Sequence, residues 1–115
     1  MFRLAHELVL SVYRATANFP LEERFGLVSQ MRRAAVSSVA NIVEGSARRS
    51  ERENLRFLEC SFGSLRELGY FLDLSQDLRY LTPGQKKHLS TLQGRAIAAL
   101  SALMQSRPLG RSTTS

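Results

Sequence analysis

Residues 50–78 read SERENLRFLECSFGSLRELGYFLDLSQDL, and this stretch decides the fold. Its apolar side chains recur at the three- and four-residue spacing of a helix, which we predict over about 50–79. They fall in two stripes, so the apolar arc is roughly 200° wide, twice what a surface helix needs. The helix is therefore either the most buried one of the protein or in contact with another copy of the chain. In the second case the predicted interface residues are Phe57, Leu68, Phe71 and Leu78.

The rest of the chain predicts three more helices and no strand. These helices are expected at about 2–19, 27–45 and 83–105. Helices joined by short connections pack against their neighbours in antiparallel pairs. The sequence therefore predicts an all-α fold, an antiparallel up-and-down four-helix bundle over residues 1–106. A Ser- and Thr-rich disordered tail is expected over 107–115.

The predicted helix ends carry clear local signals. Pro20 ends the first helix, because proline cannot continue one. Gly45 is predicted to end the second helix as a residue in the left-handed conformation. Ser50 and Thr82 start the third and fourth helices, since each is followed three residues later by the Glu or Gln of a capping box.

Length and composition limit the protein class. The chain has 115 residues, of which 43% are hydrophobic and 23% charged, which is enough for one domain with a packed core. The longest weakly polar runs, Ala34–Val43 and Ala96–Met104, are far shorter than the ~18–20 residues of a membrane span. The default expectation is a soluble, cytoplasmic protein without a membrane partner.

The residues that enzymes use are scarce. His6 and His88 lie far apart and are expected to be solvated, and Cys60 is expected to be a small buried hydrophobe. A nucleophile would need a nearby base, and a zinc site would need more cysteines or histidines. No Gly-rich loop follows a strand, so there is no nucleotide fingerprint. We therefore predict no catalytic residue, no metal site, no cofactor and no enzyme activity.

Positive charge is concentrated in one segment of a chain whose net charge is +6. The candidate nucleic-acid-binding residues are Arg32, Arg33, Arg48, Arg49, Arg52 and Arg56. Arginine grips phosphate oxygens bidentately, and the start of the third helix adds free N–H groups that favour anions. The alternative is that the neighbouring glutamates, Glu51, Glu53 and Glu59, neutralise the segment as ordinary surface pairs. The sequence leaves these two interpretations equally open.

The second predicted helix carries a polar line beside a charge among valines. Arg33, Asn41 and Glu44 share one side of it, while Arg32 is surrounded by valines. A charge in apolar surroundings must be paired, because burying it alone is very costly. We therefore favour a structural polar network of Arg32, Arg33, Asn41 and Glu44 over a ligand site.

Several linked motifs resemble the 23S rRNA intervening-sequence protein family, over nearly the whole chain except the tail. They are Phe19-Pro20, Ser29–Ser37 (SQMRRAAVS), Ala40–Gly45 (ANIVEG), Arg48–Ser50 (RRS), Leu55–Leu58 (LRFL), Gly63–Leu68 (GSLREL) and Asp77–Leu81 (DLRYL). Members of this family are small bacterial four-helix-bundle proteins. The resemblance implies a homopentamer, a barrel of five bundles with a positively charged surface suited to nucleic acid. The accessory variability proteins of diversity-generating retroelements are similar, and there the pentamer partners a reverse transcriptase and its template RNA.

Together these observations predict a non-enzymatic oligomeric module that binds nucleic acid, with structured RNA as the expected ligand. No base-reading element is evident, so recognition by shape or charge is expected. The alternative is a protein-interaction scaffold that docks an enzyme partner, such as a reverse transcriptase, through its basic face. The identity of the bound ligand separates the two.

Overall fold

The computed structural model describes residues 1–107, which form four α-helices and no strand. The helices are α1 (Phe2–Thr16), α2 (Leu27–Ser46), α3 (Glu51–Asp77) and α4 (Pro83–Gln105), with one 3-10 turn at Leu21–Glu23. The predicted all-α fold with four helices is confirmed. Most of the tail expected over 107–115 lies outside the described residues.

The helices pack in a ring, each against two others. α1 contacts α2 and α4, and α3 contacts the same two helices, with the most extensive contact between α2 and α3. The shape is elongated, 48 × 23 × 22 Å, as expected for a bundle whose longest helix has 27 residues. Its centre is a stack of fully buried side chains from all four helices. They include Leu8, Met31, Leu58, Leu65, Leu72, Leu89 and Leu100.

The observed helix ends show which of the predicted start and stop signals are used. The fourth helix begins with a complete capping box, in which the Thr82 hydroxyl accepts from the Gln85 N–H while the Gln85 side chain accepts from the Thr82 N–H. At the start of α3 the Ser50 hydroxyl accepts from the Glu53 N–H at 3.3 Å. The third helix ends at Asp77, and Arg79, two residues further on, adopts a left-handed conformation with φ 63°. Its N–H and that of Tyr80 donate to carbonyls of the last turn, as in a Schellman motif.

Gly45 has a different role from the one predicted. The second helix continues through it to Ser46, and no glycine in the described part of the chain has a positive φ. A Cβ at position 45 would lie 2.9 Å from the Cβ of Phe57, closer than two such atoms approach. Glycine is needed there because the end of α2 packs directly on the start of α3. The prediction of a left-handed stop at Gly45 is wrong.

Burial along α3 changes two further sequence-based assignments. Leu68 is fully buried in the core of its own protomer, so it is not available to a second copy of the chain. Phe57 and Phe71 are half-buried and Leu78 is exposed, and their role in an interface stays a prediction. Cys60 is exposed, so the expectation of a buried thiol is wrong. It lies at the edge of the wide apolar arc, and the bundle does not cover that edge.

Candidate nucleic-acid interface

The junction between α2 and α3 holds four arginines, Arg48, Arg49, Arg52 and Arg56, which we call the arginine corner. The two helix ends are tied together at this point. The buried Asn54 side chain donates through Nδ2 to the Gly45 carbonyl at 2.8 Å, from one turn inside α3 to the last turn of α2. This bond and the close packing at Gly45 hold the corner in one geometry.

Within residues 1–107, three of the four arginines form no ion pair. Arg48 donates to the Glu44 carboxylate at 2.6 Å, one turn back along the chain. Arg49, Arg52 and Arg56 are exposed, and within residues 1–107 they form no ion pair and no side-chain hydrogen bond. The corner therefore presents three guanidinium groups without close carboxylate contacts at the amino end of a helix, where the helix dipole adds to the positive potential.

The neighbouring glutamates do not form contact ion pairs with the corner within residues 1–107. Glu51, Glu53 and Glu59 form no ion pair with any arginine in the part of the chain that the structure describes. The ion pairs found there involve Glu7, Glu44, Glu67 and Asp73 instead. The guanidinium groups of Arg49, Arg52 and Arg56 therefore keep their donors available to a phosphate.

Arg32 and Arg33 do not belong to the corner. They precede it by most of α2, so Arg33 lies about 22 Å from Arg48 along the helix axis. Arg33 donates to the side-chain amide oxygen of Gln30 at 2.7 Å and to the Glu67 carboxylate of α3 at 3.1 Å. The structure thus brings four of the six predicted nucleic-acid-binding residues together and separates the other two.

Arg32, the charge that the sequence places among valines, forms its hydrogen bonds with residues of α1. Arg32 donates through Nε to the Thr16 hydroxyl at 2.9 Å and through Nη2 to the Tyr13 carbonyl at 3.3 Å. Its guanidinium carbon lies 4.5 Å from the centroid of the Tyr13 ring. A cation at the carboxyl end of α1 is also favoured by the helix dipole. Arg32 is therefore a structural clamp between α1 and α2.

The predicted network of Arg32, Arg33, Asn41 and Glu44 does not form. Asn41 donates to the Ser37 carbonyl and hydroxyl on its own helix, and Glu44 pairs with Arg48. Of these residues Arg33 alone has a partner on α3, the Glu67 carboxylate. The prediction of one connected network is wrong, although Arg32 is partnered as a charge in apolar surroundings must be.

A cavity of about 300 Å³ opens beside the corner. It is lined by Arg48, Glu53, Arg56, Phe57 and Cys60. The guanidinium carbon of Arg48 lies 4.8 Å from the centroid of the Phe57 ring, as in a cation–π pair. Sequence reasoning missed Glu53 and Cys60 as site residues. The sequence signal that could have found them is the three- and four-residue spacing of the α3 residues that line the cavity. This spacing places Glu53, Arg56, Phe57 and Cys60 on one face of the helix.

The comparisons with known proteins agree with this fold. A family model described as 23S rRNA-intervening sequence protein matches residues 1–102 of the chain. The chain belongs to the 23S rRNA-intervening sequence protein family. A crystal structure from Bacteroides thetaiotaomicron, of a protein with unknown function from the S23 ribosomal protein family, has a similar fold. The two chains are 19% identical with a TM-score of 0.82, over 91% of this chain and 98% of the other. No curated protein matches the chain.

This 23S rRNA-intervening sequence protein also exposes apolar side chains on α1, on α2 and on the segment between them. Tyr13, Phe25, Val36 and Val43 form what we call the α1–α2 surface, on which Phe25 is 87% exposed. Two adjoining hollows on it share Val36 in their lining. Residues 1–107 contain no helix with the length and apolarity of a membrane span, and no group of three or more potential metal ligands.

Proposed function

We propose that this member of the 23S rRNA-intervening sequence protein family is a cytoplasmic, non-enzymatic nucleic-acid-binding protein whose preferred ligand is structured RNA. The observation that carries the proposal is the arginine corner, with three exposed arginines that have no anionic partner within residues 1–107. The family name, which refers to ribosomal RNA, is the reason for preferring RNA to DNA.

The corner has the physical properties of a phosphate site. Arg52 lies in the first turn of α3, where a cation is mildly unfavourable unless an anion is bound. The free N–H groups of that turn and the guanidinium groups can both donate to phosphate oxygens. Contacts to phosphates position a nucleic acid without reading its sequence, which suits recognition by shape and charge.

We further propose that the protein acts as a homo-oligomer, and the resemblance implies a pentamer. The α1–α2 surface supports self-association, because its exposed aromatic and β-branched side chains are flanked by Arg24. An exposed face of α3 offers a complement, with Tyr70, 63% exposed, next to Asp73 and Asp77. A contact between two different faces generates a ring when the rotation between neighbouring copies closes. Light scattering that shows only the 12.9 kDa protomer at micromolar concentration would exclude this assembly.

Assembly would make weak sites effective. Several copies of a modest phosphate site on one particle engage one RNA together, which raises the overall affinity without any new contact. A pair of exposed phosphate contacts alone gives only weak, salt-sensitive binding, so a useful affinity requires several sites that act together.

The proposal is tested by titrating the purified protein against a structured RNA and a duplex DNA of equal charge across a salt series. We expect the logarithm of the association constant to fall linearly with the logarithm of the salt concentration, and the RNA to bind more tightly. Absence of binding to either ligand at low salt would refute the proposal. The basic face would then be better explained by an acidic protein partner, as in the scaffold alternative.

A further inference from the structure

The cavity beside the arginine corner has a flat cationic wall. The Arg48 guanidinium lies over the Phe57 ring, and an ion pair with the Glu44 carboxylate holds it in that position. Guanidinium planes and aromatic rings are the two surfaces on which unstacked nucleobases pack in protein–RNA complexes. A cavity of about 300 Å³ is at the lower end of the range for small-molecule sites. Both its shape and its wall suit a single planar base.

Glu53 gives the cavity a second property. The Ser50-x-x-Glu53 motif predicts a reciprocal capping box, but only the bond from the Glu53 N–H to the Ser50 hydroxyl is formed. Glu53 is one of the residues that line the cavity, and within residues 1–107 its carboxylate forms no ion pair with Arg48 or Arg56. This carboxylate opposes an anion at its own end of the cavity, whereas Arg48 and Arg56 attract one at theirs. The cavity therefore suits a ligand that carries hydrogen-bond donors on one edge and negative charge elsewhere.

Among the four RNA bases, only guanine offers the matching edge. An ionised carboxylate accepts hydrogen bonds at two adjacent oxygens and donates none. The Watson–Crick edge of guanine presents two adjacent donors, N1–H and N2–H. In adenine and cytosine the donor is next to an acceptor, and in uracil a single donor lies between two acceptors. The Watson–Crick edge of guanine can donate to Glu53 only when that guanine is not base-paired.

We propose that this cavity binds one unpaired guanine nucleotide of the RNA. The base packs on the Arg48–Phe57 wall, its Watson–Crick edge donates to the Glu53 carboxylate, and Arg56 contacts the adjoining phosphate. This inference rests on the proposed function, and adds base selectivity at one position to binding that is otherwise governed by charge.

The test uses four RNA hairpins that differ at one loop position, which is G, A, C or U. We expect the G hairpin to bind the full-length protein about tenfold more tightly than the others, the size of discrimination that one bidentate base contact supplies. Cys60 is the only cysteine of the chain and lines the cavity, so its alkylation by N-ethylmaleimide is a direct reporter. The G hairpin should slow this alkylation more than the other three do at equal occupancy.

Two variants with the same change of charge complete the test. Glu53→Gln replaces one acceptor by a donor and should abolish the preference for G, while the affinities for the other hairpins change by less than about threefold. Glu51→Gln is the control, because Glu51 lies in the same turn but does not line the cavity. Equal binding of all four hairpins by the unaltered protein, or a G preference that survives Glu53→Gln, would overturn the inference and leave the proposed function standing. Failure to bind any hairpin would refute both.

Discussion

Arginine pairs lie near both ends of α2, and their surroundings differ. At the start, Arg32 and Arg33 are held by Thr16, Gln30 and Glu67, so that three helices meet there. Past the end, Arg49 is exposed and without an ion pair in the described chain, and Arg52 follows it in the same state. The comparison teaches that the partners supplied by neighbouring helices, and not the number of arginines, separate a structural cation from a binding one.

The largest effect is expected from damage to the packing that holds the corner in place. Gly45→Ala puts a Cβ 2.9 Å from the Phe57 Cβ and 3.4 Å from the Asn54 carbonyl oxygen, neither of which is a flexible side-chain end. Overpacking of this kind lowers the free energy of unfolding by about 1–3 kcal/mol, which urea denaturation would measure.

Gly63→Ala is the matched control on α3. A Cβ there meets nothing within 4 Å, so replacing a helical glycine should raise the free energy of unfolding by up to about 1 kcal/mol. If Gly45→Ala is as stable as the unaltered protein, close packing does not fix the geometry of the arginine corner.

A smaller effect is expected at the start of α2. Arg32→Ala removes the hydrogen bonds to Thr16 and Tyr13 together with the stacking on the Tyr13 ring. We expect the free energy of unfolding to fall by about 1–2 kcal/mol. Arg52→Ala, at an exposed and unpaired position, should change it by less than about 0.5 kcal/mol. If thermal denaturation shows Arg52→Ala to be less stable than Arg32→Ala, the structural role assigned to Arg32 is contradicted.

The smallest effect concerns the cap in front of α2. The Glu23 carboxylate accepts from the Leu27 N–H at 3.3 Å and from the Tyr80 hydroxyl at 3.0 Å. The hydrogen bond to Glu23, together with burial and the charges of Glu23 and Glu22, raises the pKa of Tyr80 above its ordinary value of 10.0. Because the folded-state pKa is the higher one, this stabilisation is complete below pH 10 and is lost as the pH rises through the raised value.

Tyr80→Phe isolates this contribution. The variant should melt at a slightly lower temperature than the unaltered protein at neutral pH, and the difference should shrink above pH 10. Melting curves recorded from neutral to alkaline pH would measure it. A difference that grows with pH would contradict the hydrogen bond to Glu23.

The sequence was sufficient to predict what depends on neighbours along the chain. The start of α4 at Pro83 followed from Thr82 and Gln85, and the four helices followed from apolar spacing. Contacts between helices could not be predicted from the sequence. The face of α3 that the bundle covers decides that Leu68 is buried and Cys60 exposed, and a wide apolar arc fits either outcome.

The candidate site was predictable to a similar extent. The run from Arg48 to Arg56 was visible as a charge cluster, but the isolation of Arg32 and Arg33 depends on partners that other elements supply. The cavity depends on the Glu53 carboxylate leaving its capping role, which no local pattern indicates.

The measurement that tests the central claim most directly compares two double variants, each of which removes two positive charges. Arg49→Gln with Arg52→Gln alters the corner, and Arg32→Gln with Arg33→Gln alters the start of α2. RNA binding would be titrated across a salt series, well below both melting transitions. The first variant should bind more weakly, with a log–log salt slope that is smaller by about 2 for each bound protomer, and the second should keep the slope of the unaltered protein. Equal loss of slope in both variants, or loss only in the second, would contradict the account.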